Sequence, residues 1–268
     1  MNAIFCCADK EVALRGVKYL KEKGVDILCC LISKIKDNNS LFSQYCKDNK
    51  IEIYNTETKK EIIRKYSDDS IDLLISFTYP LKLEEEIICK AKCPINFHPA
   101  PLPEYRGCGT PCQGILNGEK EWGVTCHYLD KNLDTGNIIA IKKFEIEENK
   151  HYTGMDLSKY SWEVCYKLLC DIVDKYTAGI ELEASSQSGG NYYSKKYLEQ
   201  LKEIKVDDSA ELILKKVRAL WYPPFEGAYI LLDGKKFYLI DKEILESYNA
   251  LIQKRDKFCA YRGEENDE

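Results

Sequence analysis

The sequence predicts an α/β protein in which a mostly parallel sheet is flanked by helices and followed by a small C-terminal unit of one helix and a β-hairpin. Three observations predict this fold. Up to about residue 150, short apolar runs alternate with amphipathic runs. A segment rich in Ser and Gly, 185–191, then interrupts the pattern. After it, Asp233-Gly234 separates two apolar runs, which is a strong signal for a tight hairpin turn.

In the first part of the chain, strands and helices are predicted in alternation. Strands are predicted over 3–7, 25–32, 51–54, 71–77 and 95–98, and helices over 10–23, 41–46, 61–66 and 84–92. We expect Asp9 to cap the first helix and Gly24 to end it. Pro94 is expected to open the strand 95–98, because proline cannot donate to a strand ladder.

Two more strands, over 122–130 and 137–146, are predicted to extend the sheet. A long helix follows, and it carries one apolar stripe made of Cys165, Leu168, Leu169, Ile172, Val173 and Tyr176. The segment 185–191 is predicted to divide a larger domain, 1–184, from a small unit, 185–268. In the small unit, Asp208 and Glu211 form a predicted capping box, and 229–232 and 235–240 form the hairpin.

The composition limits the classes of protein to consider. The 268 residues are 44% apolar and 31% charged, with a formal net charge of −5, which is typical of a globular domain and argues against an extended nucleic-acid surface. We find no apolar run of the roughly 18 residues that a membrane span needs and no signal-peptide pattern at the N-terminus. We therefore expect a cytoplasmic protein with no membrane partner.

The sequence lacks the motifs of metal sites and of two common nucleotide-binding loops. The 13 cysteines lie in apolar runs such as FCC and LCCLI, which is typical of reduced, buried thiols, and the pairs Cys89/Cys93 and Cys108/Cys112 lack the C-x2-C spacing of zinc sites. We therefore predict no metal. The loop after the first strand has neither a G-x-G-x-x-G nor a P-loop pattern, which argues against nicotinamide and P-loop nucleotide binding.

One constellation points to chemistry. Asn96 and His98 are two positions apart on a predicted strand, so their side chains point to the same face, and they lie at the strand end where open α/β sheets bind ligands. Asp134 lies in a later loop, where Gly136 is expected to permit a tight turn close to a ligand. Taken alone, an Asn and a His at this spacing are also compatible with a turn and a buried core imidazole.

From Ile95 the chain contains NFHP, LPEYRG, GVT and LDTG, and this combination closely resembles the folate-dependent formyltransferase family over residues 70–140. The family includes methionyl-tRNA, glycinamide ribonucleotide and sugar N-formyltransferases. The resemblance implies a Rossmann-like domain, 10-formyltetrahydrofolate as the donor, and Asn96, His98 and Asp134 as the catalytic residues.

These residue types suit formyl transfer to an amine. Asn96 is expected to donate to the oxyanion of the tetrahedral intermediate, a contact worth about 2.7–4 kcal/mol. His98 is expected either to accept the amine proton or, when protonated, to stabilise the oxyanion, and Asp134 to orient its imidazole. We interpret His127 as an ordinary strand side chain rather than a catalyst.

The resemblance also implies where the ligands bind. The folate is expected near SFTYPLKLEE and near the loop before Asp134, with the candidate contacts Phe77, Tyr79, Leu83 and Asp130. The residues after 185 resemble the C-terminal part of sugar N-formyltransferases, which implies a dTDP- or GDP-linked 4-amino-4,6-dideoxyhexose as the acceptor. Candidate acceptor contacts are Trp221, Tyr222 and Phe225 for the base, Lys195, Lys196 or Arg106 for the pyrophosphate, and Tyr105 beside Arg106.

The alternatives stay open at this point. Fewer than ninety residues follow the predicted boundary and the chain is acidic, so tRNA fits less well, and glycinamide ribonucleotide formyltransferases generally lack the added C-terminal unit. A formyltetrahydrofolate hydrolase and a non-catalytic nucleotide-sugar binding protein are candidates from other classes. The resemblance further implies a homodimer and a product for cell-surface polysaccharide, such as the O-antigen of lipopolysaccharide.

Overall fold

The computed structural model of the chain describes residues 1–33, 40–147 and 151–250. The strands are β1 (Asn2–Cys7), β2 (Asp26–Ile32), β3 (Glu52–Tyr54), β4 (Ile71–Phe77), β5 (Ala91–His98), β6 (Tyr105–Gly107), β7 (Glu121–Tyr128), β8 (Ile138–Glu145), β9 (Asn191–Tyr193), β10 (Tyr229–Leu232) and β11 (Lys235–Tyr238). The helices are α1 (Glu11–Glu22), α2 (Leu41–Asp48), α3 (Lys60–Lys65), α4 (Glu85–Ile88), α5 (Thr110–Asn117), α6 (Gly154–Thr177), α7 (Lys195–Leu201) and α8 (Ala210–Ala219).

A central sheet organises the described residues. Its seven strands lie in the order β3-β2-β1-β4-β5-β7-β8. The strands from β1 to β5 pair in parallel, whereas β7 is antiparallel to β5 and β8 is antiparallel to β7. The predicted α/β fold with a mostly parallel sheet is therefore confirmed.

Both faces of the sheet are covered, because neighbouring residues of each strand point to opposite sides. Phe5 packs in a cluster with Val17 of α1 and Leu169 of α6. Its neighbour Ile4 packs in a second cluster with Ile62 of α3 and Ile87 of α4. The buried parallel strands therefore read as continuous apolar runs.

The helix α6 shows how one element is fixed at its start. Thr153 and Asp156 form a reciprocal capping box, in which the Asp156 N–H donates to the Thr153 hydroxyl and the Thr153 N–H donates to the Asp156 carboxylate. The apolar stripe predicted for this helix is buried from Cys165 to Val173. In the described part of the chain, no helix is long and apolar enough to cross a membrane.

Two predicted helix caps were wrong. The N-cap of α1 is Lys10 rather than Asp9, and no side-chain cap is formed there. The helix α8 starts one residue later than predicted, so Ser209 is the N-cap and accepts from the Leu212 N–H. The Asp208 carboxylate instead contacts the ammonium of Lys216 and accepts from the Lys205 N–H, so it is not available to cap the helix.

The strand β5 starts four residues earlier than predicted. Pro94 lies inside it, opposite Leu74 of β4, and its carbonyl accepts from the Leu129 N–H at 2.9 Å. The helix α4 is shorter than the predicted helix 84–92, because residues from Ala91 onward belong to β5. Proline lacks only the backbone N–H donor, so the Pro94 carbonyl can still accept a hydrogen bond from Leu129, the residue that follows β7.

The hairpin was predicted at the right place. Tyr229–Leu232 pairs with Lys235–Tyr238, and Asp233 and Gly234 have φ angles of 48° and 75°. Positive φ at both turn residues is the geometry that favours Asp-Gly.

The segment 185–191 contacts the larger part of the chain directly. Ser185 and Ile138 exchange backbone hydrogen bonds at 2.8 Å, and the strand β9, which starts at Asn191, pairs in parallel with β6. Gly190 lies so close to Pro103 that a Cβ would be 1.7 Å from the Pro103 carbonyl oxygen. This segment is therefore attached to the larger part of the chain at both of its ends.

Candidate active site

A cavity of about 570 Å³ opens at the C-terminal edge of the sheet. Asn96, His98 and Asp134 all line it. Asn96 and His98 come from the end of β5, and Asp134 comes from the connection between β8 and β7, the strand that pairs with β5. The chain therefore brings the three predicted catalytic residues together at the edge where open α/β sheets bind ligands.

His98 is held at both ring nitrogens. Its Nε2 donates to the Tyr105 carbonyl at 2.7 Å, and because a carbonyl only accepts, this nitrogen carries a proton. Its Nδ1 lies 3.7 Å from Asp134 Oδ2. The backbone of β6 and the carboxylate therefore fix the direction of the imidazole.

Asp134 is a buried anion. Its residue is 7% exposed, and its Oδ2 accepts from the Gly107 N–H at 2.9 Å. Burial raises the pKa of its carboxyl, but the electrostatic interaction with His98 and the hydrogen bond from the Gly107 N–H oppose it, and the pKa is lowered to about 2. The carboxylate is therefore charged at neutral pH and able to balance an imidazolium.

His127 is a buried strand side chain, as predicted, but it also contacts two of these three residues, which the sequence did not predict. It lies opposite Asn96 in the pairing of β5 with β7, and its Nε2 is 3.0 Å from Asn96 Nδ2 and 3.7 Å from Asp134 Oδ1. Its ring is 1% exposed. A weak signal was present in the sequence, since His127 and Asp134 occur in one short strand and loop segment.

Gly136 has a different role from the predicted one. A Cβ at this position would lie 1.9 Å from the Tyr128 carbonyl oxygen, so glycine is needed where the loop passes over the end of β7 rather than beside a ligand. The loop is also held by Gln187, which donates to the carbonyls of Asp134 and Gly136 at 3.2 and 2.6 Å. Asp134 is thus positioned partly by the segment 185–191.

Three of the four predicted folate contacts line the cavity: Tyr79, Leu83 and Asp130. Burial raises the pKa of Tyr79, and the Asp130 carboxylate accepts from the Asn132 N–H and the Thr135 hydroxyl. Phe77 is fully buried instead and packs against Phe5, Phe97 and Trp162. Its position in the strand directs its side chain into the core, while its neighbours Ser76 and Thr78 line the cavity.

Some of the predicted acceptor contacts line the cavity and others do not. Lys195, Tyr222 and Phe225 line the cavity, and the side chain of Phe225 is largely exposed. Trp221 packs in a separate cluster with Leu220 and lies edge-on to Tyr248. That packing turns the indole away from the cavity.

Tyr105 and Arg106 support the site rather than line the cavity. The Tyr105 hydroxyl donates to Glu119 at 2.5 Å and its ring is buried against Trp122, while its carbonyl holds His98. Arg106 Nη2 donates to the Gly190 carbonyl at 3.2 Å. Both residues therefore hold the strand β6 next to the predicted catalytic residues.

Lys202 and Glu199 are cavity residues that the sequence did not suggest. The Lys202 ammonium is 2.8 Å from both Glu199 carboxylate oxygens, and the lysine side chain is only 8% exposed. Burial raises the pKa of Cys112 at the start of α5 to about 12, and the Lys202 charge acts against this rise. A nearly buried cation therefore lies beside the first turn of α5.

Among the residues that the structure describes, no group of three His, Cys, Asp or Glu side chains has an arrangement that could hold a metal ion.

More than half of the chain matches a known protein family. Residues 30–172 match the family described as "Formyl transferase". A methionyl-tRNA formyltransferase of Lactobacillus gasseri is 33% identical over 168 residues, which are 62% of this chain and 52% of the relative. A GDP-perosamine N-formyltransferase of Brucella melitensis is 27% identical over 185 residues, which are 66% of this chain and 67% of the relative. The chain thus spans about half the length of the first of these relatives.

Comparison with solved structures supports the same fold. A 4-N formyltransferase from Francisella tularensis has a TM-score of 0.73 and 22% identity, covering 89% of this chain and 96% of its own. An N-formyltransferase from Helicobacter canadensis, in complex with folinic acid and dTDP-3-aminofucose, has a TM-score of 0.70 and 21% identity, covering 88% and 86% of the two chains.

Proposed function

We propose that this chain, which belongs to the formyl transferase family, transfers the formyl group of 10-formyltetrahydrofolate to the amine of a nucleotide-linked amino sugar. One observation carries the proposal. A single cavity of about 570 Å³ is lined both by Asn96, His98 and Asp134 and by side chains of the C-terminal part, including Lys195, Tyr222 and Phe225. A donor and a large acceptor can therefore meet at the same three residues.

Sequence coverage does not separate the two acceptors, because a methionyl-tRNA formyltransferase of Caldanaerobacter subterraneus matches 95% of this chain at 24% identity. The similarity to solved structures is what favours an amino sugar in this proposal. The fold of the Francisella 4-N formyltransferase extends over 89% of this chain and 96% of its own, so it includes much of the C-terminal part that lines the cavity. The Helicobacter enzyme, in complex with a folate and a dTDP-linked amino sugar, has the same fold.

The donor is proposed to lie between two loops at the sheet edge. Tyr79 and Leu83 belong to the loop after β4, and Asp130 belongs to the connection between β7 and β8. These loops combine apolar surface with a few polar groups, as folate-sized ligands require. In this proposal the formyl group lies beside Asn96 and His98.

The chemistry then follows from the geometry. The acceptor amine attacks the formyl carbon, and the Asn96 amide donates to the oxyanion that forms. Asp134 Oδ2, 3.7 Å from His98 Nδ1, orients the imidazole, which either accepts the amine proton or, when protonated, stabilises the oxyanion. When the C–N bond to folate breaks, the amine has lost one proton overall and the folate nitrogen has gained one.

No cysteine is needed in this scheme. Cys108 lines the cavity, but burial and the charge of Asp134 raise the pKa of its thiol. A thiol kept in its neutral form is a poor nucleophile. The formyl group is therefore proposed to pass directly from folate to amine.

The acceptor is proposed to bind along the C-terminal part, with its base against Tyr222 or Phe225 and its diphosphate near Lys195 and Lys202. A dTDP- or GDP-linked 4-amino-4,6-dideoxyhexose fits this set, and its product would serve a cell-surface polysaccharide such as an O-antigen. We further propose a homodimer, supported by the exposed apolar side chains Leu231, Leu232 and Phe237 on the hairpin.

The direct test is turnover with a panel of acceptors. The protein and 10-formyltetrahydrofolate are incubated with dTDP- and GDP-linked 4-amino sugars, with methionyl-tRNA, with glycinamide ribonucleotide, and with no acceptor. We expect mass spectrometry to detect one formyl group on an amino sugar. Formylation of the tRNA or the ribonucleotide alone, or formate release without an acceptor, would instead support one of the alternatives.

The same assay tests the catalytic residues. We expect Asn96→Ala to lower kcat by about 100- to 1000-fold, because the oxyanion loses a positioned donor, and to leave the KM of the acceptor nearly unchanged. Asn49→Ala, at the end of α2, is the matched control and should turn over like the unmodified protein. Equal kcat values for the two variants would remove Asn96 from the mechanism.

A further inference from the structure

We infer that His127 is a positioning residue, which sets the orientation of the Asn96 amide and so determines that an N–H rather than a C=O faces the formyl group. The catalytic role in this inference rests on the proposed function. The orientation of the amide is argued from three contacts, all between residues that the structure describes.

The first contact fixes the proton on the imidazole. His127 Nδ1 lies 2.7 Å from the Tyr128 carbonyl oxygen, and since a carbonyl only accepts, Nδ1 carries the proton. That carbonyl is held in place, because the Tyr128 N–H donates to the Asn137 carbonyl at 2.9 Å and Gly136 packs directly over it. The backbone at the end of β7 thus selects one tautomer of a ring that is 1% exposed.

The second contact shows how the tautomer of His127 fixes the orientation of the Asn96 amide. In the neutral ring with a proton on Nδ1, Nε2 is an acceptor. Asn96 Nδ2 is 3.0 Å away and donates to it, whereas an amide turned by half a rotation would place its oxygen against the nitrogen lone pair. An amide nitrogen carries two N–H groups, so one is used by His127 and the other is left to donate to a ligand in the cavity.

The third contact separates the two imidazoles. The Asp134 carboxylate lies 3.7 Å from both His98 Nδ1 and His127 Nε2. His127 Nε2 is already occupied by the Asn96 N–H, so it has no proton to share with the carboxylate. Asp134 therefore orients His98, and His127 orients Asn96.

Nitrogen NMR tests the tautomer without any turnover. The chain has three histidines, so the imidazole signals are few, and replacing His98 or His151 assigns them. We expect His127 at neutral pH to be a neutral ring with its proton on Nδ1. A proton on Nε2 alone, or a fully protonated His127, would overturn the inference whether or not an amino sugar proves to be the acceptor.

A double-mutant cycle tests the positioning role. We expect His127→Leu to lower kcat by about 100-fold, and to lower it little further in the Asn96→Ala background, because both changes remove the same donor. His127→Gln, which can accept from Asn96 through its own oxygen, should recover at least about tenfold. His151→Leu, on an exposed ring that contacts Glu243, should leave kcat unchanged.

Independent losses from the two single variants would overturn the positioning role, as would a His127→Gln variant that is no better than His127→Leu. Thermal unfolding of each variant separates these outcomes from loss of the fold. If the unmodified protein formylates none of the acceptors, the proposed function has failed, and the NMR result alone decides the tautomer.

Discussion

The Asp134 carboxylate shows how a single residue can depend on distant parts of the chain. It faces imidazoles from β5 and from β7, it accepts from a β6 backbone N–H, and its own carbonyl is bound by Gln187. Its backbone is in the left-handed region, with φ at 56°, a conformation that costs of order 1 kcal/mol for a residue with a side chain. The surrounding contacts offset that cost and aim the carboxylate at both rings.

The lowered pKa of Asp134 predicts a pH-dependent contribution to stability. The carboxyl has a pKa of about 2 in the folded chain and about 3.9 when unfolded, so its ionised form favours folding above about pH 4. As the pH falls from about 4 to about 2, the unfolded chain binds this proton first and the contribution, about 2.6 kcal/mol, is lost.

The comparison of the protein with its Asp134→Asn variant measures this effect. We expect the free energy of unfolding, obtained from urea titrations, to differ most at neutral pH, and the difference to shrink as the pH is lowered toward 2. A difference that does not change with pH would mean that the carboxylate does not gain its ionisation energy from the fold.

At this scale, the sequence predicted residues that belong to a motif and missed one that depends on register. Asn96, His98 and Asp134 were predicted because each lies in a short, specific run of residues, and the structure brings them to one cavity. His127 meets Asn96 only because β7 pairs antiparallel with β5, across 31 positions of sequence. A single sequence does not give that register, because the alternation of a strand is compatible with several pairings.

At the scale of elements, the short parallel pair of β6 and β9 holds the backbone groups that position His98 and Asp134. The strand β6 supplies the Tyr105 carbonyl to His98 and the Gly107 N–H to Asp134, and β9 pairs along it. The segment 185–191 delivers the chain to β9 through Gly190, which passes within contact distance of Pro103. Its composition is that of a linker, yet its backbone has to follow this close path.

Two adjacent glycines in that segment allow a matched test. Gly189 and Gly190 both have φ at 74°, but a Cβ would meet nothing within 4 Å at Gly189 and the Pro103 carbonyl oxygen at 1.7 Å at Gly190. We expect Gly189→Ala to cost roughly 1 kcal/mol of stability from the backbone alone. Gly190→Ala should cost clearly more and also lower kcat, because it displaces β9 and with it β6.

Unfolding midpoints and turnover of the two alanine variants give the answer. If Gly190→Ala is no worse than Gly189→Ala in either measurement, the close approach of this segment does not support the active site.

The elements that the sequence predicted best are those whose signal is local. The strand β4 was predicted with both ends correct, because it is a continuous apolar run between polar residues. The start of β5 was missed because Pro94 suggests a boundary, although its carbonyl still binds the Leu129 N–H. The strand β9 was missed because its pairing with β6 joins residues more than 80 positions apart.

At the scale of the whole molecule, charge sets a condition on the proposed acceptor. The chain has a formal net charge of −5, so it repels a nucleotide diphosphate on average. Attraction therefore has to come from cations placed in the cavity, where Lys195 and Lys202 contribute from the C-terminal part. Of these two, Lys202 is nearly buried and is paired with the half-exposed Glu199.

Lys202 is accordingly expected to bind the acceptor diphosphate, which would replace or share the contact with Glu199. A hydrogen bond to a charged group is worth about 1.5–3 kcal/mol, so Lys202→Met should raise the KM of the acceptor by about 10- to 100-fold and leave the KM of the folate unchanged. Lys205→Met is the matched control, because its ammonium pairs with Glu203 and its side chain is 54% exposed. Steady-state kinetics with each substrate varied in turn would contradict the assignment if Lys202→Met changed the folate KM instead, or if both lysine variants raised the acceptor KM equally.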